Sequence, residues 1–151
     1  MQKKSSHRIL IRNARSIRDY LFLRSLRNQS QHQLTGETQN ISLRKQLIFY
    51  LKKPKDITTF IAEVKGVRVG YLLIRRSGLN NYITEVIKPE WQNQGIGSEM
   101  IKFAQKDYAE LTAEILVTNI ASVKLHQKNQ FVLKETTKNI LIYKYYRIGP
   151  S

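Results

Sequence analysis

The chain has no cysteine, which excludes disulfide staples, thiolate nucleophiles and cysteine-ligated metal sites. Proline and glycine are sparse, at three and seven of 151 residues. With no Pro/Gly/Ser-rich linker, repeat or low-complexity tract, residues 1–151 read as a single domain. No apolar run approaches the roughly 18 residues that a bilayer span needs. The first residues, MQKKSSHRILIRNARS, are positively charged but lack the apolar stretch of a secretory signal. The expected compartment is the cytoplasm, and no metal site is expected.

Acidic residues are also scarce. Twenty-six Lys and Arg stand against eleven Asp and Glu, a net charge of +15. The surplus is skewed: residues 1–55 hold thirteen Lys or Arg against only Asp19 and Glu37, a balance of +11. Such a field captures negatively charged ligands, whether nucleic acid or a phosphorylated small molecule. The remaining composition, 41% hydrophobic and 25% charged, is that of a globular domain.

Hydrophobic periodicity gives an ordered series of elements. HRILIR predicts a first strand. SIRDYLFLRSLRNQ predicts an amphipathic helix burying Ile17, Tyr20, Leu21 and Leu26. Residues 29–40 read as a polar loop. A second helix places Leu43, Leu47, Ile48 and Leu51 on one face and stops before Pro54. The period then becomes two. TTFIAEV and VRVGYLLIRR flank a Lys65-Gly66 hairpin turn, Asn80-Asn81 offers the next turn, and YITEVI is a further strand. Ile96, Met100, Ala104, Tyr108 and Leu111 mark a helix of about four turns. AEILV is a strand, NIASVKLHQKN a short helix capped by Asn119, and FVLKET and NILIYKYY close the chain. The expected class is α/β (α+β), with a central antiparallel meander followed by a crossover.

The most informative stretch is VIKPEWQNQGIGSEM, where Gly95 and Gly97 stand at a strand-to-helix junction. The spacing is not that of a P-loop, G-x-x-x-x-G-K-[ST]. A dinucleotide fingerprint requires a third glycine where Met100 stands. What remains is Q-x-x-G-x-G, in which bare backbone at a helix start presents N–H groups and the helix dipole to a pyrophosphate. A tight turn alone would also explain two glycines. Residues 27 positions beyond Gln92 supply the context: LVTNIASVKLHQKNQF.

Taken together, these motifs resemble the GNAT superfamily of N-acetyltransferases. VIKPEW is similar to the family's V-x-P-E-[YW] lead-in. Gln92 to Gly97 resembles its Q/R-x-x-G-x-G/A signature. Asn119, Ser122, Leu125, His126 and Phe131 fall on its N-x-x-A/S-x-x-L-Y-x-x-x-G-F motif. The resemblance covers most of residues 58–146. It implies a GNAT fold, a mixed and mostly antiparallel sheet of about six to seven strands flanked by about four helices. It also implies acetyl-CoA as cofactor, held by Val86, Ile87, Gln92, Asn93, Gln94, Gly95, Ile96, Gly97, Ser98, Asn119 and Ser122. The implied reaction is acetyl transfer from the thioester to a primary amine.

Two positions depart from the family pattern. The usual tyrosine, read as the acid that protonates departing coenzyme A, is His126, and the glycine before Phe131 is Gln130. A free imidazole titrates near ~6.5, so little imidazolium exists at neutral pH unless the site raises that value. His126 is either the replacement acid or a helix-face residue beside the pantetheine arm. Glu85 is the best-placed candidate base, with Ile83 and Ile87 on its face giving the apolar setting that a base needs. Glu63, acting through a water, is the alternative. An N–H beside an opened bulge in the strand 84–87 would polarise the thioester carbonyl.

For the acceptor, the first two helices loosely resemble a GNAT branch that acetylates nucleotide-linked amino sugars. Asp19, Leu21, Phe22, Arg24 and Asn28 approximate its first helix, and the run from Leu111 to Ser122 matches its L-x-A-x-[VI]-L-x-x-N-x-x-S pattern more closely. Arg24, Arg27 and His32 are the candidate contacts to an anionic acceptor. The alternatives are a protein or peptide N-acetyltransferase and a non-catalytic CoA- or nucleic-acid-binding module of the same fold. No helix-turn-helix, zinc or RNP signature supports nucleic acid. Either a monomer or a homodimer is compatible with the sequence.

Overall fold

The computed structural model describes residues 8–35 and 40–149. In chain order the elements are β1 (Ile9–Asn13), α1 (Ile17–Gln29), α2 (Leu43–Lys52), β2 (Ile57–Val64), β3 (Val67–Ser77), β4 (Asn80–Ile87), α3 (Ile96–Asp107), β5 (Glu110–Leu116), α4 (Ile120–Lys128), β6 (Val132–Thr136) and β7 (Ile140–Tyr146). Short 3-10 turns occur at Gln31–Gln33 and Pro89–Trp91. The order is the one that periodicity predicts. His7 of the predicted first strand and residues 36–39 of the predicted loop lie outside the described residues.

One seven-stranded sheet, β1-β2-β3-β4-β5-β7-β6, organises the molecule. Every pairing is antiparallel except β4 with β5, the parallel join made by the α3 crossover. Alternation along the strands separates two apolar layers. On one face Phe60, Ala62, Val64, Leu72, Ile74 and Ile83 pack against Ile96, Met100, Ile101 and Ala104 of α3. On the other, Ile61, Tyr71 and Val86 pack against Leu23 and Leu26 of α1. Fully buried side chains such as Met100 and Leu26 each contribute about 1.5–3 kcal/mol through removal from water.

Four local expectations need correction. In α1 the inward residues are Asp19, Tyr20, Leu23 and Leu26, while Ile17 is exposed. In α2 the predicted face is largely solvent-facing, with Leu51 77% exposed and Leu43 50%. The inward face is offset by one residue, about 100° of rotation. Gln46 is buried there, and Phe49 and Tyr50 pack against Tyr20 at centroid distances of 5.9 and 5.3 Å. The second hairpin turns at Gly78 and Leu79, because Ser77 already pairs with Asn80. Finally, α3 ends at Asp107; Tyr108 is its C-cap and Leu111 belongs to β5. The Lys65-Gly66 turn is found where expected, with φ of +50° and +77°.

Asp19 holds the α1 end of the sheet together. It lies at the third position of the helix, completing a capping box with Ser16, and it is 1% exposed. Arg12 donates to both its oxygens at 2.8 Å, Arg68 donates at 2.8 Å, and the Arg15 and Ser16 N–H groups add two more bonds. The Arg12 hydrogen bonds outweigh the effect of burial and hold its carboxyl far below the usual range. Arg12 also clamps Glu63 at 2.7 Å. Among the described residues, no helix is long and apolar enough to cross a membrane.

Candidate active site

Between β4 and β5 the sheet opens. The β3–β4 ladder runs unbroken from Gly70↔Ile87 to Ser77↔Asn80, so β4 itself has no bulge, contrary to expectation. The parallel β4–β5 ladder, however, has the single pair Tyr82↔Thr112. Beyond that pair the two strands diverge. The Lys88 N–H donates to the Val69 carbonyl. Antiparallel alternation from that bond aims the N–H groups of Glu85 and Ile87 away from β3, into the gap.

The gap leads into a cavity of about 730 Å³ that passes through the plane of the sheet. Its walls come from β4 (83–87), the turn before α3, the first residues of α3, and α4, with Ser30, Gln33, Leu34 and Thr35 closing the opposite side. Glu85, Val86, Ile87, Gln92, Asn93, Gly95, Gly97, Ser98, Asn119, Ser122 and His126 are brought together there. Gln94 and Ile96 are not in the wall. Gln94 bonds to the Glu90 carbonyl, and Ile96 enters the core.

The glycines serve different purposes. Gly95 is the N-cap of α3 at φ +85°, a left-handed conformation that costs other residues about 1–2 kcal/mol. At Gly97 a Cβ would lie 2.9 Å from Leu125 Cδ2 and 3.3 Å from Ile87 Cδ1, so α3 and α4 meet closely over β4. The side chains of Ser16, Ser42 and Asn119 cap the other three α-helices; α3 has no side-chain cap. Its first-turn N–H groups, which no helix can satisfy internally, are left without a side-chain cap, and Gly95, Gly97 and Ser98 line the cavity. Gln92 fixes the turn by donating to the Ile87 carbonyl at 3.1 Å. Asn129 joins the Ser98 hydroxyl to α4 at 3.0 Å. Gln130 takes the left-handed conformation at φ +71°, which explains why the resembling motif has glycine there.

Glu85 and His126 meet across the cavity floor. His126 is 2% exposed and lies edge-on to Phe131 at 4.9 Å. Its Nδ1–H donates to the Ser122 carbonyl at 2.8 Å, an atom that can only accept. In a neutral ring Nε2 would then turn a lone pair towards Glu85 Oε1, 3.4 Å away. Two facing acceptors repel, an arrangement that favours the protonated ring. At 3.4 Å the two groups are in contact without an aligned hydrogen bond; Nε2 and Glu85 Oε2 are buried and unpartnered. Burial alone would lower the His126 pKa. The Glu85 charge and contact and the Ser122 carbonyl outweigh it, and the net shift is upward. The direction of the shift favours the imidazolium form.

The other candidates fall elsewhere. Glu63 is tied to Arg12 away from the cavity. Arg24 Nε donates to the Ile41 carbonyl, and the Asn28 amide bonds both Ile41 backbone groups, so these residues of α1 hold the segment entering α2. His32 is exposed and lines neither cavity. Arg27 lines a second cavity of about 240 Å³, next to the first, with Leu34 and Thr84 common to both. Lys124 and Lys128 line the main cavity without having been singled out in the sequence, although their i, i+4 spacing on α4 puts them on one face. Among the described residues there is no cluster of three or more His, Cys, Asp or Glu able to hold a metal.

With this geometry in view, the comparisons are consistent. Residues 55–133 match the family model of the acetyltransferase (GNAT) domain, and the chain belongs to that family of acetyltransferases. No match is found among curated proteins. Similar solved structures include an N-acetyltransferase from Staphylococcus aureus, 18% identical with a TM-score of 0.77, covering 92% of this chain and 98% of that one. A spermidine N-acetyltransferase from Vibrio cholerae, in complex with CoA and spermine, is 15% identical with a TM-score of 0.80 over 91% and 95%. The PaiA N-acetyltransferase from Thermoplasma acidophilum, in complex with coenzyme A, is 18% identical with a TM-score of 0.69 over 93% and 99%. At these identities the likeness is one of fold.

Proposed function

We propose that this protein is an N-acetyltransferase that uses acetyl-CoA and acetylates a small primary amine carrying negative charge. The observation that carries the reading is the Glu85–His126 pair at the open edge of β4, inside a cavity whose mouth is the uncapped start of α3. The residues present fit the cofactor. The first-turn N–H groups of α3, with Gly95 leaving the backbone bare, suit a pyrophosphate. Lys124 and Lys128 would offset phosphate charge. The N–H groups of Glu85 and Ile87 suit an extended amide-bearing arm, and either can polarise a carbonyl.

When bound, acetyl-CoA supplies an activated acetyl thioester: a C–N bond forms to the amine, the C–S bond breaks, and the sulfur leaves as a thiol. Glu85 Oε2, buried and unpartnered, accepts the proton lost by the amine. His126 Nε2 holds the proton that the leaving sulfur needs, kept there by the carboxylate that raises its pKa. The pair gains one proton and gives one up, and so returns to its starting state. The Ser122 carbonyl fixes the ring so that Nε2, and not Nδ1, faces the cavity.

Support for an anionic acceptor comes from Arg27 and Lys45 in the wall on the α1–α2 side, which disfavours a polycation there. The comparisons lend no support to the nucleotide-linked amino sugar, which therefore enters only as one arm of the test. Thiol release from acetyl-CoA is measured against anionic amines, UDP-linked amino sugars, spermidine and basic peptides, with the products weighed by mass spectrometry. Transfer to an anionic amine, abolished in Glu85→Gln, is the expected result. Preferred transfer to spermidine or basic peptides would reject the anionic acceptor, and no transfer to any amine would reject the activity.

A further inference from the structure

The second cavity, about 240 Å³ between α1, α2 and the sheet, has a composition that neither the fold nor the cofactor requires. Leu23, Leu34, Ile41, Phe49, Tyr71 and Leu73 make its walls apolar. Among them lies Gln46, 3% exposed, whose Nε2 has no hydrogen-bond partner. Buried amide donors are almost always paired, since burying one without a partner costs stability. An unpaired donor in an apolar chamber therefore marks where a ligand's acceptor belongs. Arg27 and Lys45 bring cationic side chains to the same wall.

Leu34 and Thr84 line both cavities, so the chamber borders the cavity that Glu85 lines. The buried Tyr71 hydroxyl, held above its ordinary range chiefly by burial, lies within electrostatic reach of both Arg27 and Glu85. A ligand spanning the two spaces would have its amine at Glu85 and its remainder in the chamber. A chamber of this size exceeds the roughly 150 Å³ cavity that holds benzene.

Building on the acetyltransferase reading, we infer that the acceptor is an amphipathic amine. Its body is one apolar group, aryl or branched aliphatic, and it carries one carboxylate-like acceptor taken by Gln46, with Arg27 and Lys45 supplying opposite charge. Gln46 is thus a specificity-determining residue. Sugar hydroxyls would be left unpaired against these walls, and a polyamine would meet cations.

The test measures binding, which needs no turnover. With coenzyme A present, calorimetric titration compares L-phenylalanine and 4-(aminomethyl)benzoate with phenethylamine, a UDP-linked amino sugar and spermidine. At least one of the first two should bind, and phenethylamine, lacking the carboxylate, about tenfold more weakly than the tighter of them. Gln46→Leu should weaken binding of the preferred probe about tenfold while melting no lower than the wild type, because it removes an unpaired buried donor. Gln46→Glu, which replaces the donor with a like charge, should abolish binding. The inference is overturned if neither carboxylate-bearing amine binds, if the sugar or spermidine binds more tightly, or if Gln46→Leu leaves affinity unchanged. Failure of the acetyltransferase reading is a separate result: no thiol release from acetyl-CoA with any amine.

Discussion

Replacing Glu85 with glutamine removes the charge of the pair while keeping its shape. In the wild type the carboxylate lifts the His126 pKa against burial. Without that charge burial prevails, the ring stays neutral, and Nε2 accepts a hydrogen bond from the new amide. The sign of the pH effect follows. A histidine whose folded pKa exceeds its unfolded value, near ~6.5, contributes stability that is complete below about pH 6.5. That stability is lost as pH rises through the folded value. One extra proton on the folded state corresponds to a slope of about 1.4 kcal/mol per pH unit within that window. Urea unfolding of both proteins between about pH 6 and pH 9 measures it. The wild-type advantage should shrink at up to that slope and then level off, and acetyl transfer should fall by about 10²–10⁴ in the variant. A stability difference that stays constant across the window would refute the shared-proton account, as would an unchanged transfer rate.

Other substitutions probe the supporting structure. Gln130→Gly relieves the left-handed backbone at φ +71° and should raise stability by about 0.5–1 kcal/mol in denaturant titration, since the strain relieved exceeds the extra unfolded-state entropy. Asp19→Ala removes the carboxylate that Arg12 and Arg68 share, leaving Arg12 paired with Glu63, and should cost about 3–5 kcal/mol. With its pKa depressed in the fold, Asp19 contributes stability that is full above the unfolded value near ~3.9 and is lost as pH falls below it. Asp19→Asn should therefore lack the acid-side slope seen in wild-type unfolding curves. Gly97→Ala meets Leu125 Cδ2, the movable end of a side chain. Its overpacking cost of about 1–3 kcal/mol, less a helix gain of about 1 kcal/mol, leaves a net cost of about 0–2 kcal/mol. Melting should fall by no more than that cost implies, while the acetyl-CoA dissociation constant, measured by calorimetry, rises several-fold.

The sheet and helix order was legible because strand and helix periods differ and the turns carry their own chemistry. Lys65-Gly66 and the Asn119 cap are local signals, and both appear in the fold. The candidate site was legible where its residues form a local pattern, as along Gln92 to Ser98 and Asn119 to His126. Tertiary facts were not. Apolar spacing assigned α2 to its leucines, but packing against Tyr20 selected Phe49 and Tyr50 and turned Gln46 inward. The loose match of Asp19, Arg24 and Asn28 to a substrate-recognition helix is explained by ion pairs and by the bonds to Ile41. No sequence pattern reports that β4 and β5 part after one pair, or that Glu85 reaches His126 across 41 residues of chain.

The account's central claim is that the opening between β4 and β5, under the start of α3, is an acetyl-CoA site. Calorimetric titration of the wild-type protein with acetyl-CoA tests it most directly. One molecule should bind per chain at micromolar concentration, several-fold more weakly in Gly97→Ala. An absence of heat up to millimolar acetyl-CoA, or equal binding by the variant, would contradict it.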